Sequence, residues 1–162
     1  MEKISLVISV YNEEDNVIPL YEQIVKALEG YNYEIIYVDD GSSDATVSKL
    51  KTITDERLHL VEFKRNFGQS SALLAGFDHA SGNYIVTMDG DLQNDPSDIP
   101  MMLKTLKEGD YDLVTGIREN RKDDLFIRKI PSMIANRLVS KASNFKIKDN
   151  PFTWSSIDPA FF

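Results

Sequence analysis

The chain has 162 residues, of which 42% are hydrophobic and 27% charged; it has no cysteine and a formal net charge of −8. That length suits one domain with a sizeable core, and the composition is that of a globular rather than a disordered chain. The acidic sum argues against general nucleic-acid binding, and the lack of cysteine excludes a disulfide framework and thiolate chemistry.

No run approaches the roughly 18 apolar residues of a membrane span. The opening Met-Glu-Lys-Ile-Ser is strand-like at once, so neither a signal peptide nor a span is expected, and a reducing cytosol is compatible with the chain. The charge is unevenly spread: residues 1–120 carry 10 Lys and Arg against 22 Asp and Glu, whereas residues 121–148 carry 8 against 2. Such asymmetry marks either the side that meets lipid headgroups or phosphates, or a solvated helix face.

Ile4–Val10 is an apolar run broken only by serines, which predicts a buried strand ending at Tyr11-Asn12-Glu13-Glu14-Asp15-Asn16. Apolar residues then recur at three- and four-residue intervals from Val17 to Leu28, and a helix is expected up to about Gly30, with the preceding acids complementing its dipole. Tyr33–Val38 reads as a second strand, stopping at Asp39-Asp40-Gly41-Ser42-Ser43-Asp44, before a helix from about Ala45 to Ile53. A third strand, Leu58–Phe63, leads through Arg65-Asn66-Phe67-Gly68-Gln69 into a helix of small residues, Ser70–Ala80, suited to lying close on a sheet.

The next stretch is the most informative. Tyr84-Ile-Val-Thr-Met is an apolar run too short for a typical helix, and it stops at Asp89-Gly90-Asp91 before Leu92-Gln93-Asn94-Asp95-Pro96. Acids also gather in ordinary strand-to-helix turns. Here, however, the first one caps a buried run, where an unpaired charge is costly and a cation is wanted. Carboxylates at this spacing suit Mg²⁺ or Mn²⁺, which usually share their remaining positions with water and a substrate's phosphates. Gly90, lacking a Cβ, permits a close approach between them. A helix from about Ser97 to Lys107 and a fifth strand, Tyr111–Thr115, closed by Gly116-Ile117-Arg118, complete the regular part.

Strands alternating with helices predict right-handed βαβ units and a mostly parallel sheet. Ligands of such sheets bind outside the carboxyl ends of the strands, so Glu13, Asp39, Asp40, Asp89 and Asp91 are expected on one rim. The glycine fingerprints of the dinucleotide fold and of the P-loop are both missing. Tyr11 can stack on a base or cover the core as a strand-end aromatic. Arg118 can face a phosphate or pair with a neighbouring acid such as Glu119. Ile127, Ile130, Ile134 and Leu138, flanked by Arg128, Lys129, Arg137 and Lys141, form a basic amphipathic stripe, which suits a membrane interface or simple packing on the domain.

In order, Val10-Tyr11-Asn12-Glu13, Val38-Asp39-Asp40-Gly41-Ser42-Ser43-Asp44, Arg65-Asn66-Phe67-Gly68, Met88–Pro96 and Gly116-Ile117-Arg118 resemble the inverting, metal-dependent glycosyltransferases of family 2. Within that family they are similar to the dolichyl-phosphate mannose synthase and undecaprenyl-phosphate sugar transferase type, over about Ile4–Asp149. The resemblance implies an α/β GT-A (nucleotide-diphospho-sugar transferase) fold, a mostly parallel sheet flanked by helices. It divides the chain into a nucleotide-sugar- and metal-binding core (1–120), a basic acceptor- and membrane-facing segment of the same domain (121–149) and a divergent tail (150–162).

It also implies a hexosyltransferase using Mg²⁺ or Mn²⁺, held by Asp89, Asp91 and Gln93. Ser9, Tyr11, Glu13, Val38, Asp40, Asp89, Gly90, Asp91, Gln93 and Arg118 would bind a UDP- or GDP-sugar. Arg128, Lys129 and Ser132 would receive a polyprenyl (undecaprenyl or dolichyl) phosphate, and Asp91, Arg118 and Asp149 are the catalytic candidates. The implied place is cytoplasmic, peripheral on the inner membrane face; homo-oligomer formation stays open.

Two departures from the family pattern stand out. Ser9 stands where many relatives have proline, and after Ile147-Lys148-Asp149 the pattern of Gly, Ser or Cys and a later basic residue is replaced by Asn150-Pro151-Phe152-Thr153-Trp154. No Lys or Arg follows Lys148, nor do the transmembrane helices that relatives often add. A nucleotide-sugar-binding domain without turnover is therefore the alternative. A signalling receiver domain is disfavoured, because Phe63-Lys64-Arg65 stands where its acceptor Asp would end the third strand.

Overall fold

The computed structural model describes residues 2–109 and 111–116, and the backbone of 155–157. Arg118, Arg128, Lys129, Ser132 and Asp149 lie outside these described residues, as does the amphipathic stripe. Among the described residues six strands form one sheet: β1 (Lys3–Val10), β2 (Asn32–Asp39), β3 (Leu58–Glu62), β4 (Tyr84–Asp89), β5 (Leu113–Val114) and β6 (Ser155–Ile157). Their order across the sheet is β3-β2-β1-β4-β6-β5. The first four are parallel. β6 runs antiparallel between β4 and β5, an insertion within the segment read as a divergent tail.

The helices are α1 (Val17–Ala27), α2 (Thr46–Leu50), α3 (Gln69–His79) and α4 (Ile99–Glu108), with a 3₁₀ turn over Pro96–Asp98 before the last. The order places a switch point between β1 and β4. β1 leads to β2 and β3 on one side, and the chain then crosses back to lay β4 on the other.

Alternation along the strands divides the core into two layers. On one face Leu6, Ile8, Ile35, Tyr37, Val86 and Met88 pack under Leu20 and Ile24 of α1 and Ile99 and Leu103 of α4. On the other face Val7, Ile36, Val38 and Ile85 meet Ala72 of α3. The small residues of α3 let it lie close, as their type predicts: a Cβ on Gly76 would sit 2.2 Å from Val7 Cγ1. The acids before α1 stand ahead of its N-cap, Asn16. None falls in its first turn, and the Glu14 side chain accepts instead from Ala45 N–H at 2.9 Å.

A polar cluster closes the amino-terminal end of the α3 layer. Glu34, 4% exposed, accepts from Lys3 Nζ at 2.6 Å, Ser5 Oγ at 2.6 Å and the Ser81 backbone N–H at 2.7 Å. Burial alone would raise its pKa, yet these donors bring the carboxyl down to about 2.

Candidate functional site

At the carboxyl ends of β1 and β4 a cavity of about 340 Å³ is lined by Ser9, Tyr11, Glu13, Asp40, Asn66, Gln69, Asp89, Gly90 and Asp91, among others. Register explains part of this gathering. Val38, Ser9 and Asp89 stand in one row across three strands, so their side chains share the α3 face. Val38 is fully buried in the core there and its side chain does not line the cavity. Ser9 and Asp89, at the open end of the row, do.

The loop after β1 is tied to the loop after β2. Asn12, at a φ of 56°, donates its N–H to Ser42 Oγ at 2.9 Å and accepts from Ser43 N–H at 2.9 Å. Glu13 N–H donates to Thr46 Oγ1 at 2.8 Å, and its carboxylate accepts from Asn16 Nδ2 at 2.6 Å. Tyr11 is thereby held at the rim and is 47% exposed, so its ring is available for a flat group to stack on.

The two acids that end β2 divide their work. Asp39 Oδ2 accepts from the N–H groups of Gly41 and Ser42 at 3.1 and 3.0 Å, while its buried Oδ1 has no hydrogen-bond partner among the described residues. Asp40 turns to the Arg65–Gly68 loop, where Oδ1 accepts from Phe67 N–H at 2.7 Å and Oδ2 from Gly68 N–H at 2.9 Å. Asp40 thus reaches the cavity wall while bracing the loop that borders it.

The Asp89-Gly90-Asp91 turn follows directly from the end of β4. A Cβ on Gly90 would lie 2.5 Å from Val10 Cγ1, so the strand ends can sit this close only with glycine there. Asp91 Oδ1 accepts from Gln93 N–H at 3.0 Å, and Leu92 is bent to a φ of 60°, a strained conformation for a side chain of its size. That bend turns Gln93 away. It lines a separate groove of about 590 Å³ with Gln23 and Lys26 of α1, so the cavity brings together Asp89 and Asp91 but not Gln93.

Gln69, which the sequence reading did not include, also belongs to the cavity wall. Its Nε2 donates to Asp89 Oδ1 at 2.5 Å. The signal lay in its position, one residue beyond a loop that ends beside the strand tips. Among the described residues no ion pair involves Asp39, Asp40 or Asp91, and no group of three or more His, Asp or Glu side chains forms a metal cage. Asp89 and Asp91 are a pair of hard oxygen donors on one wall, a donor set that fits Mg²⁺ or Mn²⁺.

A mostly parallel α/β sheet flanked by helices is the arrangement of the GT-A fold, and solved structures similar to this chain are GT-A glycosyltransferases. A mannosyltransferase from Pyrobaculum calidifontis, solved with GDP-Man and Mn²⁺, superposes with a TM-score of 0.69 at 20% identity over 97% of this chain and 44% of that one. Glucosyl-3-phosphoglycerate synthase from Mycobacterium tuberculosis, solved with Mn²⁺, UDP-glucose and phosphoglyceric acid, does so with a TM-score of 0.76 at 19% identity, over 98% and 57%. At such identities the likeness shows the GT-A fold alone.

The sequence places it further: residues 5–161 match glycosyl transferase family 2, and the chain belongs to that family. It is 47% identical over 152 residues to a dodecaprenyl-phosphate galacturonate synthase of Rhizobium johnstonii, covering 91% of this chain and 45% of that protein. It is also 41% identical over 154 residues to an undecaprenyl-phosphate 4-deoxy-4-formamido-L-arabinose transferase of Proteus mirabilis, covering 92% and 47%. The chain therefore spans a little under half the length of these relatives. Among the described residues no helix is long and apolar enough to cross a membrane.

Proposed function

We propose that this chain is the donor-binding part of an inverting glycosyltransferase that moves a sugar from a UDP- or GDP-sugar to a polyprenyl phosphate with Mg²⁺ or Mn²⁺. The observation that carries the reading is the cavity at the β1–β4 switch point, which Asp89 and Asp91 line together with Tyr11 and Glu13. Relatives named for dodecaprenyl- and undecaprenyl-phosphate support the acceptor class.

In this reading Tyr11 stacks on the base and Glu13 and Ser9 contact the nucleoside. Asp89 and Asp91 hold the cation, which when bound offsets charge on the donor diphosphate. Gly90 keeps the turn close enough to Val10 for both carboxylates to face the same space. Arg118 is the further counter-charge for the departing diphosphate. Arg128, Lys129 and Ser132 receive the acceptor phosphate at the inner face of the membrane, as a basic segment beside an anionic surface would. The ionised acceptor is itself a nucleophile and needs little help from a base such as Asp149.

A thermal-shift screen of UDP- and GDP-sugars, each with and without Mn²⁺, tests class and donor together. A metal-dependent rise in melting temperature with one nucleotide family is expected. No stabilisation by any of them contradicts the reading.

A further inference from the structure

Gln69 has a geometry that a mere helix-opening residue would not need. It is the first residue of α3, yet its side chain leaves the helix to meet Asp89 Oδ1 at 2.5 Å. Its own place is fixed from behind. Asp40 grips the two preceding N–H groups, Gly68 turns the chain at a φ of 93°, and Gly68 C=O accepts from Ser71 and Ala72 N–H at 3.0 and 3.2 Å to start the helix.

We infer that Gln69 is a positioning residue for the carboxylate of Asp89, orienting it toward a divalent cation through a hydrogen bond that the Asp40-braced loop holds in place. The inference rests on the donor-site reading above. Its physical basis is that a carboxylate ligand binds well only when its rotation is restrained, and outer partners supply that restraint. A carboxamide suits the task better than a basic side chain would. It donates to one oxygen and fixes its direction, but carries no positive charge to compete with the cation. The residue lies at the opposite end of the sheet from Lys3, whose ammonium takes up the charge of Glu34 instead.

The test is Mn²⁺ affinity, measured by calorimetry on the full chain with UDP or GDP, whichever the wild type binds. Gln69→Met keeps the length of the side chain and removes the donor. It should weaken Mn²⁺ binding about 10- to 100-fold while leaving the unfolding midpoint unchanged. Ser70→Ala, at the next and exposed position, should leave both unchanged.

A lowered midpoint with wild-type Mn²⁺ affinity would show that Gln69 only ties α3 to β4, and would overturn the inference. A second readout uses the unsubstituted chain. On adding Mg²⁺ with the nucleotide, the side-chain amide resonances of Gln69 should move and those of Gln23, on α1, should not. Bound metal with unmoved Gln69 resonances overturns the inference while sparing the donor-site reading. Binding of neither metal nor nucleotide by the wild type overturns both.

Discussion

The two ends of this sheet both carry buried or half-buried acids, and they treat them in opposite ways. At the amino-terminal end Glu34 is met by an ammonium, a hydroxyl and a backbone N–H, all within 2.7 Å. At the carboxyl-terminal end, among the described residues, Asp39 and Asp40 receive backbone N–H groups, Asp89 receives the Gln69 amide among its contacts, and Asp91 receives the N–H of Gln93. Uncharged donors orient carboxylates without neutralising them. An acid whose charge is matched inside the fold contributes stability, whereas Asp40 and Asp91, which have no ion pair among the described residues, leave negative charge on the cavity wall that attracts a cation from outside.

The contrast is sharpest if each end is broken separately. Glu34→Ala should cost about 3 kcal/mol in urea unfolding, because it leaves the buried Ser5 hydroxyl without its acceptor and Lys3 without its counter-charge. It should leave nucleotide binding alone. The folded pKa of about 2 lies below the ordinary 4.5. The stabilisation is therefore complete above pH 4.5 and disappears as the pH falls through about 2. In Glu34→Gln that part of the acid sensitivity should be missing, which stability curves at several pH values would reveal.

Gly90→Ala should cost about 1–3 kcal/mol, since its Cβ must displace Val10 at the point where β1 and β4 converge. Unlike the Glu34 change, it should weaken metal-dependent nucleotide binding as well, a coupling that calorimetry on the folded variant would measure. The smallest effect is expected at the exposed edge strand β3. Lys51→Ala removes a surface pair with Glu62 at 2.8 Å and should change urea stability by about 0.5 kcal/mol or less.

Patterns that repeat were legible in the chain. The apolar runs of β1, β2 and β4 and the three-to-four spacing of α1 give the elements and their order, because burial imposes the period directly. Short elements were not. β6 has only three residues, two of them serines, and is made a strand by the neighbours it bridges rather than by any period of its own. The fifth strand pairs over Leu113–Val114 alone, a shorter ladder than Tyr111–Thr115 predicts.

At the site, the resemblance brought Val38 and Gln93 onto the list by motif, but side-chain direction depends on register and turn. Alternation sends Val38 into the core, and the left-handed Leu92 carries Gln93 to the groove beside α1. Gln69 escaped notice for the reverse reason: an unremarkable amide gains its role only when two strand tips and a loop are folded together.

The proposal that the Asp89–Asp91 end of the sheet holds a divalent cation for a nucleotide-sugar is tested most directly by titrating the chain with UDP and GDP in the presence of Mn²⁺, for the wild type and for Asp91→Ala. Loss of at least about 100-fold in metal-dependent affinity on removing the carboxylate is predicted, since even an outer partner of a ligand is worth 10- to 100-fold. Equal affinity in the two proteins would contradict it.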